Sequence, residues 1–256
     1  MKKKIEDKLM YGYSLDLGVV IEEGFAVYKK TFLISGLALI LLSIVFIILY
    51  LGLIAAFYGL GNFSELISQI SIMSRKPTYL ISTGVFSTIA SAIMAPVTAG
   101  FIHVNYLAKR NREFSLSTYF EFYKGKYVIP LMTAYAIIGF TMSITNVMLA
   151  FVGLNFLSFI TQGLISMVTI FTIPLIIYDD ISYSEALSKS ITLFGKQPLY
   201  IFVALLVAFF FSMLGFIAFC IGIIFTIPFL YSTYYSIYEQ AIGFEEKSEI
   251  EEIGTE

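Results

Sequence analysis

Asp179-Asp180 close one long uncharged stretch of this sequence, and Glu239 lies just past the end of another. Carboxylates so placed do acid–base work when a partner base or substrate proton lies within hydrogen-bond reach. His103, beside Asn105 and Tyr106, is the only histidine. With Glu185, these residues make a candidate polar cluster: His103, Asn105, Asp179, Asp180, Glu185 and Glu239. A single imidazole with no cysteine near it is a poor zinc site, since zinc takes three or four protein ligands. Cys220 is alone, which excludes an intrachain disulfide and any cysteine-rich metal centre. No nucleophile or oxyanion donor accompanies the carboxylates. Asp180 or Ser182 is accounted for by capping the helix that follows. The sequence holds no Gly-x-x-x-x-Gly-Lys-Ser/Thr, no Gly-x-Gly-x-x-Gly and no Gly-x-Ser-x-Gly. No catalytic residue, cofactor or metal ligand is assigned, and a non-enzymatic role is expected.

The elements around these residues are set by the distribution of charge. Hydrophobic residues make up 58% of the chain and charged ones only 13%, against about 25% in an ordinary soluble domain. Thr31–Ser64 and Pro77–Ala108 contain no Asp, Glu, Lys or Arg, nor do Tyr127–Tyr178 and Gln197–Tyr238. A helix crosses the hydrocarbon core in roughly 20 residues. The first two stretches therefore hold one crossing each, and the last two fold back as hairpins. Spans are expected at about 32–59, 79–107, 128–151, 155–178, 198–216 and 219–241, with a turn at Gly153-Leu154-Asn155. With the N-terminus inside, every basic residue except Arg75 and Lys76 falls on the cytoplasmic side. The expected class is an all-α polytopic membrane bundle of six transmembrane helices in a bacterial inner membrane, with both termini cytoplasmic. No tryptophan is present, so tyrosines near span ends, Tyr79, Tyr106, Tyr127, Tyr178 and Tyr200 among them, are expected to form the interfacial belt. The net charge of −2 gives no case for nucleic acid. The expected partners are the lipid bilayer and other membrane proteins.

A short amphipathic segment precedes each pair of spans. Leu17, Val20, Ile21, Phe25 and Tyr28 form the first stripe, Leu116, Tyr119, Phe120 and Tyr123 the second, and Leu187, Ile191 and Phe194 the third. Ser182 with Glu185, and Thr118 with Glu121, have capping-box spacing, while Gly125 and Gly195 suit a left-handed terminator. Each segment ends in an aromatic residue followed by lysine, or by glycine and lysine: Tyr28-Lys29-Lys30, Tyr123-Lys124-Gly125-Lys126 and Phe194-Gly195-Lys196. These read as three cytoplasmic interfacial helices.

Prolines repeat in step. Pro96, Pro174 and Pro228 fall inside spans two, four and six, the last two within a shared Phe-Thr-Ile-Pro. Each is expected to free the carbonyl four residues earlier and kink its helix, with Thr98, Thr172 and Thr226 placed to help satisfy freed groups. The result is a pseudo-threefold helix-hairpin repeat with units of about 14–108, 115–178 and 182–243, in one membrane domain over 1–243. An acidic tail, 244–256, is expected to be disordered. Kinked spans also line cavities in transporters, although the polar content within the spans is slight, with Asn146 and Gln162 its main members.

The last third, Phe171 to Gly243, carries a resemblance in Pro174-Leu175, Asp179-Asp180, Glu185-Ala186 with Ser190, the Gly222-to-Pro228 stretch and Tyr238-Glu239. It is similar to the C-terminal region of a broad family of uncharacterised bacterial six-span inner-membrane proteins, themselves similar to the membrane domain of some glycerophosphodiester phosphodiesterases. The resemblance implies architecture rather than activity, since no phosphodiesterase domain is present here. Three roles follow as expectations: a scaffold or accessory subunit of an envelope or transport assembly, a small transporter or channel for an apolar or weakly polar solute, and, last, a lipid-modifying enzyme.

Overall fold

In lipid the backbone has to satisfy its own hydrogen bonds, and uncharged stretches of this length do so as helices. The computed structural model describes residues 2–58, 77–217 and 222–244. Arg75, Lys76, Cys220 and the acidic tail from residue 245 lie outside the described residues. The helices are α1 (Lys2–Tyr11), α2 (Leu17–Tyr58), α3 (Pro77–Lys109), α4 (Val128–Phe151), α5 (Ser158–Val168), α6 (Thr172–Ile177), α7 (Tyr183–Lys196), α8 (Pro198–Met213), α9 (Gly222–Thr226) and α10 (Pro228–Ala241). A 3-10 helix, Leu116–Tyr123, joins α3 to α4. No strand occurs among the described residues.

Among the described residues, five helical segments are long and apolar enough to cross a membrane: Leu17–Leu49, Pro77–Lys109, Val128–Phe151, Asn155–Ile177 and Pro198–Ile217. Within the stretch read as span six, the described residues from 222 onward form the short α9, a turn at Ile227 and the fourteen-residue α10, and residues 219–221 lie outside the described residues. Proline accounts for the division, because Pro228 at the start of α10 cannot donate into the turn before it. Pro174 has a parallel effect, with residues 169–171 forming a turn between α5 and α6. Pro96 leaves α3 unbroken.

Three local expectations are corrected. The first amphipathic segment is no separate element, since α2 runs through Tyr28-Lys29-Lys30 without interruption. The second is a 3-10 helix, in which three residues per turn align Leu116, Tyr119 and Phe122. Tyr119 and Phe122 are accordingly buried, while Phe120 and Tyr123 are exposed. Its start is closed by Ser115, whose N–H donates to Thr118 Oγ1 at 3.1 Å. In the third segment the buried face is Ala186, Ser190 and Leu193, and Ile191 is exposed. Here the cap follows the spacing, for Glu185 N donates to Ser182 Oγ at 3.4 Å. Gly125 (φ +83°) and Gly153 (φ +74°) take left-handed turns, whereas Gly195 stays helical.

The core is concentrated at the end of the bundle that carries the lysines. Val20, Val27 and Thr31 of α2, Phe101 and Val104 of α3, Leu175 of α6, Leu193 of α7 and Tyr235 of α10 are all buried there. Toward the other end large apolar side chains stand exposed, Ile47 and Leu49 on α2, Phe86 on α3, Phe140 and Met148 on α4 and Phe159 on α5 among them. A surface of that kind is stable against lipid and not against water. The chain is a multi-pass membrane bundle. α3 and α4 form its most extensive pair, joined where Gly139 lets α4 approach Ser91 and Thr88 and by Ser143 Oγ donating to the Gly84 carbonyl (2.9 Å).

Candidate functional site

At the lysine-rich end, the C-terminal turns of α3 and α10 meet the α6–α7 junction and the 3-10 helix. Asn105 is 2% exposed and is held entirely by neighbours. Its Nδ2 donates to the Phe101 carbonyl (2.8 Å), and its Oδ1 accepts from Ser232 Oγ (2.7 Å) and from Thr31 Oγ1 (3.5 Å). One amide thus ties α2, α3 and α10 together. The Tyr119 hydroxyl pairs with Ser35 Oγ (2.7 Å), binding the 3-10 helix to α2. Burial pushes the Tyr119 phenol up to about 12, the Ser35 hydrogen bond acting in the opposite direction.

The acidic pair is split by the backbone. Asp180 adopts a left-handed conformation (φ +53°), which short polar side chains tolerate. Asp179 is buried and accepts a short hydrogen bond from the Tyr238 hydroxyl. Asp180 is exposed and pairs with Lys126 at 2.8 Å, the hydrogen bond raising the lysine above its ordinary value. His103 Nδ1 lies 3.2 Å from the Tyr178 hydroxyl. Glu239 faces Arg110 at 3.9 Å, and Glu185 binds Lys189 one turn on at 2.7 Å. The six candidate residues therefore share one end of the bundle, yet each of these contacts is with a neighbour outside the set. Among the described residues, no three of His, Cys, Asp and Glu are grouped to hold a metal ion.

Aromatic rings fill the space between them. His103 stacks on Tyr106, and Tyr178 contacts Tyr106, Tyr238 and Phe244. The Arg110 guanidinium lies 4.0 Å from the Tyr106 ring centre and 4.9 Å from that of Phe244. Tyr106 and Tyr178, expected in the interfacial belt, thus belong to this internal cluster. Phe244, expected to begin the tail, is packed in the cluster as well.

Sequence reasoning missed Phe244, Arg110, Tyr235 and Tyr238 as site members. It also missed α1 and the segment after it. Ile5 is fully buried, the Tyr13 hydroxyl donates to the Leu193 carbonyl (2.8 Å), and Gln197 Nε2 donates to the Tyr13 carbonyl (2.8 Å). Tyr13 serves a C-terminal carbonyl of α7, which otherwise has no partner in its own helix. The available signal was the Ile5–Leu9 spacing.

The three inner prolines are buried. At two of them a tyrosine from an amphipathic segment serves the carbonyl three residues earlier. Tyr123 donates to the Ile93 carbonyl (2.6 Å) before Pro96, and Tyr28 to the Phe225 carbonyl (3.1 Å) before Pro228. Near Pro174 the corresponding carbonyl, that of Phe171, accepts from Leu175 N (3.0 Å), and a serine on α7 contacts the turn before the proline at other groups. Ser190 Oγ accepts from Phe171 N (3.1 Å) and donates to the Val168 carbonyl (2.9 Å). Thr226 donates to Ser212 O (2.7 Å) and Thr98 to Met94 O (3.1 Å), while Thr172 Oγ1 is buried without a hydrogen-bond partner among the described residues. Asn146 is exposed on α4 and Gln162 is half-buried on α5, both remote from the charged end. No family model matches the chain, and neither a curated protein nor a solved structure does.

Proposed function

We propose that the chain is a non-enzymatic scaffold or accessory subunit of a membrane assembly. On this reading it is a six-span, pseudo-threefold bundle of a bacterial inner membrane, with its lysine-rich end and both termini in the cytoplasm. The observation that carries the role is the pairing of the candidate acid–base groups. Asp179 with Tyr238, His103 with Tyr178 and Glu239 with Arg110 join separate elements, Glu239 Oε2 alone of these being buried without a hydrogen-bond partner among the described residues. Groups held in this way fix geometry rather than exchange protons with a substrate.

The proline contacts support the repeat. The second amphipathic segment serves the proline of the first unit, the third that of the second, and the first that of the third. Such a cyclic order is what three similar units closing on one another would produce. The sixth crossing would be α9 and α10 together. The resemblance of residues 171–243 to six-span inner-membrane proteins agrees with this arrangement. Orientation follows from the basic residues gathered at one end, among them Lys30, Lys109, Arg110, Lys126 and Lys189. The two cavities described below are lined by none of Pro96, Pro174 and Pro228.

Gentle extraction followed by cross-linking and mass spectrometry tests the role. A stoichiometric protein partner is expected. Recovery only as a monomer holding a water-soluble solute would overturn it.

A further inference from the structure

Between α2 and α3 the bundle opens sideways into a groove of about 880 Å³, and its lining includes Val45, Leu49, Phe86, Ala90, Phe120 and Tyr123. The wall is apolar throughout except at the Tyr123 hydroxyl, which is already committed to the Ile93 carbonyl. On α2 the lining runs from residue 41 to residue 51, about 15 Å at a helical rise of 1.5 Å per residue. That is half of a hydrocarbon core of roughly 30 Å, the depth of one leaflet. Phe120 also lines a second, polar cavity of about 660 Å³ with Ser117, Thr118, Glu121, Lys124 and Gly125. The apolar groove therefore has a polar mouth, and the mouth lies at the lysine-rich end.

The mouth carries one charge of each sign. Neither Lys124 nor Glu121 forms an ion pair with a described residue. Thr118 Oγ1 accepts from Ser115 N, which leaves its own proton for an outside acceptor. An ammonium and a hydroxyl donor together suit a phosphate, and a carboxylate three residues away suits an amine.

We propose that this composite site retains one zwitterionic glycerophospholipid, its headgroup bearing both a phosphate and an ammonium. An acyl chain lies between α2 and α3, the phosphate sits at Lys124 and Thr118, and the ammonium faces Glu121. A partner transmembrane helix would cover the groove and leave both charges at the mouth unanswered. An anionic headgroup would satisfy Lys124 and be repelled by Glu121. The proposal rests on the reading above only in placing the lysine-rich end at headgroup depth.

The full chain, reconstituted in bilayers of equal phosphatidylethanolamine and phosphatidylglycerol, is extracted in mild detergent, and its retained lipid is counted by native mass spectrometry. One phosphatidylethanolamine per chain is expected. Lys124→Ala removes one charge-assisted hydrogen bond, and retention falls about tenfold. Ala90→Phe fills the groove and lowers retention similarly. Glu121→Gln shifts retention toward phosphatidylglycerol, and Ile129→Phe, on α4, changes nothing. Melting midpoints confirm that each variant is folded. Equal retention by all variants, preference of the wild type for phosphatidylglycerol, or no retained lipid would each overturn the proposal. Protein partners are scored in the same preparation, so a chain that keeps its partner and loses the lipid dependence overturns this site alone.

Discussion

A single methyl group at Gly100 is predicted to pry the 3-10 helix from α3. A Cβ built there would lie 2.6 Å from the Tyr119 carbonyl carbon and 2.7 Å from its Cα. The Tyr119 carbonyl oxygen would be closer still; ordinary contact begins near 3.4 Å, so the Tyr119 backbone would have to retreat by more than about 0.8 Å. It has little freedom to do so, since its side chain is fully buried and hydrogen-bonded to Ser35. Overpacking of this kind costs about 1–3 kcal/mol, and loss of the Tyr119–Ser35 bond would add about 1 kcal/mol. Gly100→Ala should thus lower the melting midpoint in detergent by about 4–16 °C. Gly195→Ala is the matched control. Gly195 lies within α7 with open space around it, and there alanine should raise stability by about 0.5–1 kcal/mol. If Gly100→Ala and Gly195→Ala melt alike, the close approach assigned to Gly100 is wrong.

Three further outcomes follow from the same contacts. Tyr238→Phe withdraws a donor from the buried Asp179 carboxylate and should destabilise by about 1–3 kcal/mol in chemical unfolding; an unchanged midpoint would show the bond to be dispensable. Tyr119 ionises near 12 when folded and near 10 when unfolded, so its contribution is complete below pH 10 and is lost as pH rises toward 12. The loss is about 3 kcal/mol, and Tyr119→Phe should flatten that part of the stability profile. Tyr28→Phe and Tyr123→Phe should each cost about 1 kcal/mol and add in the double variant, because their proline turns are separate; strong non-additivity would mean the two turns move together.

The five long apolar helices were legible because absence of charge over a long stretch is a bulk property, insensitive to local error. The Ser182 cap and the turn at Gly153 were legible because both depend on chemistry within four residues. Other features turned on partners distant in sequence. The stripe in Leu116–Tyr123 fits either helical period, and only docking at Gly100 selects the 3-10 form with Phe122 inward. Asp179 and Asp180 are neighbours in sequence, and a left-handed residue sends one inward and the other to solvent. Phe244 stands among glutamates, yet the rings of Tyr106, Tyr178 and Tyr235 form a pocket for it that no local pattern announces. The six candidate polar residues lie at one end of the bundle, each held by a neighbour rather than by another member of the set. Most of their partners, Tyr238, Tyr178, Arg110, Lys126 and Ser232 among them, are distant in sequence, and only Lys189, one turn after Glu185, was marked by local spacing.

Side-specific labelling of single cysteines tests the membrane placement most directly. In a Cys220→Ser background, Ser188→Cys reports on the lysine-rich end and Leu154→Cys on the opposite turn. A membrane-impermeant maleimide should label Leu154→Cys in intact cells and reach Ser188→Cys only after the inner face is opened. Labelling of both positions from the same side, or recovery of the chain in a detergent-free soluble fraction, would contradict the account.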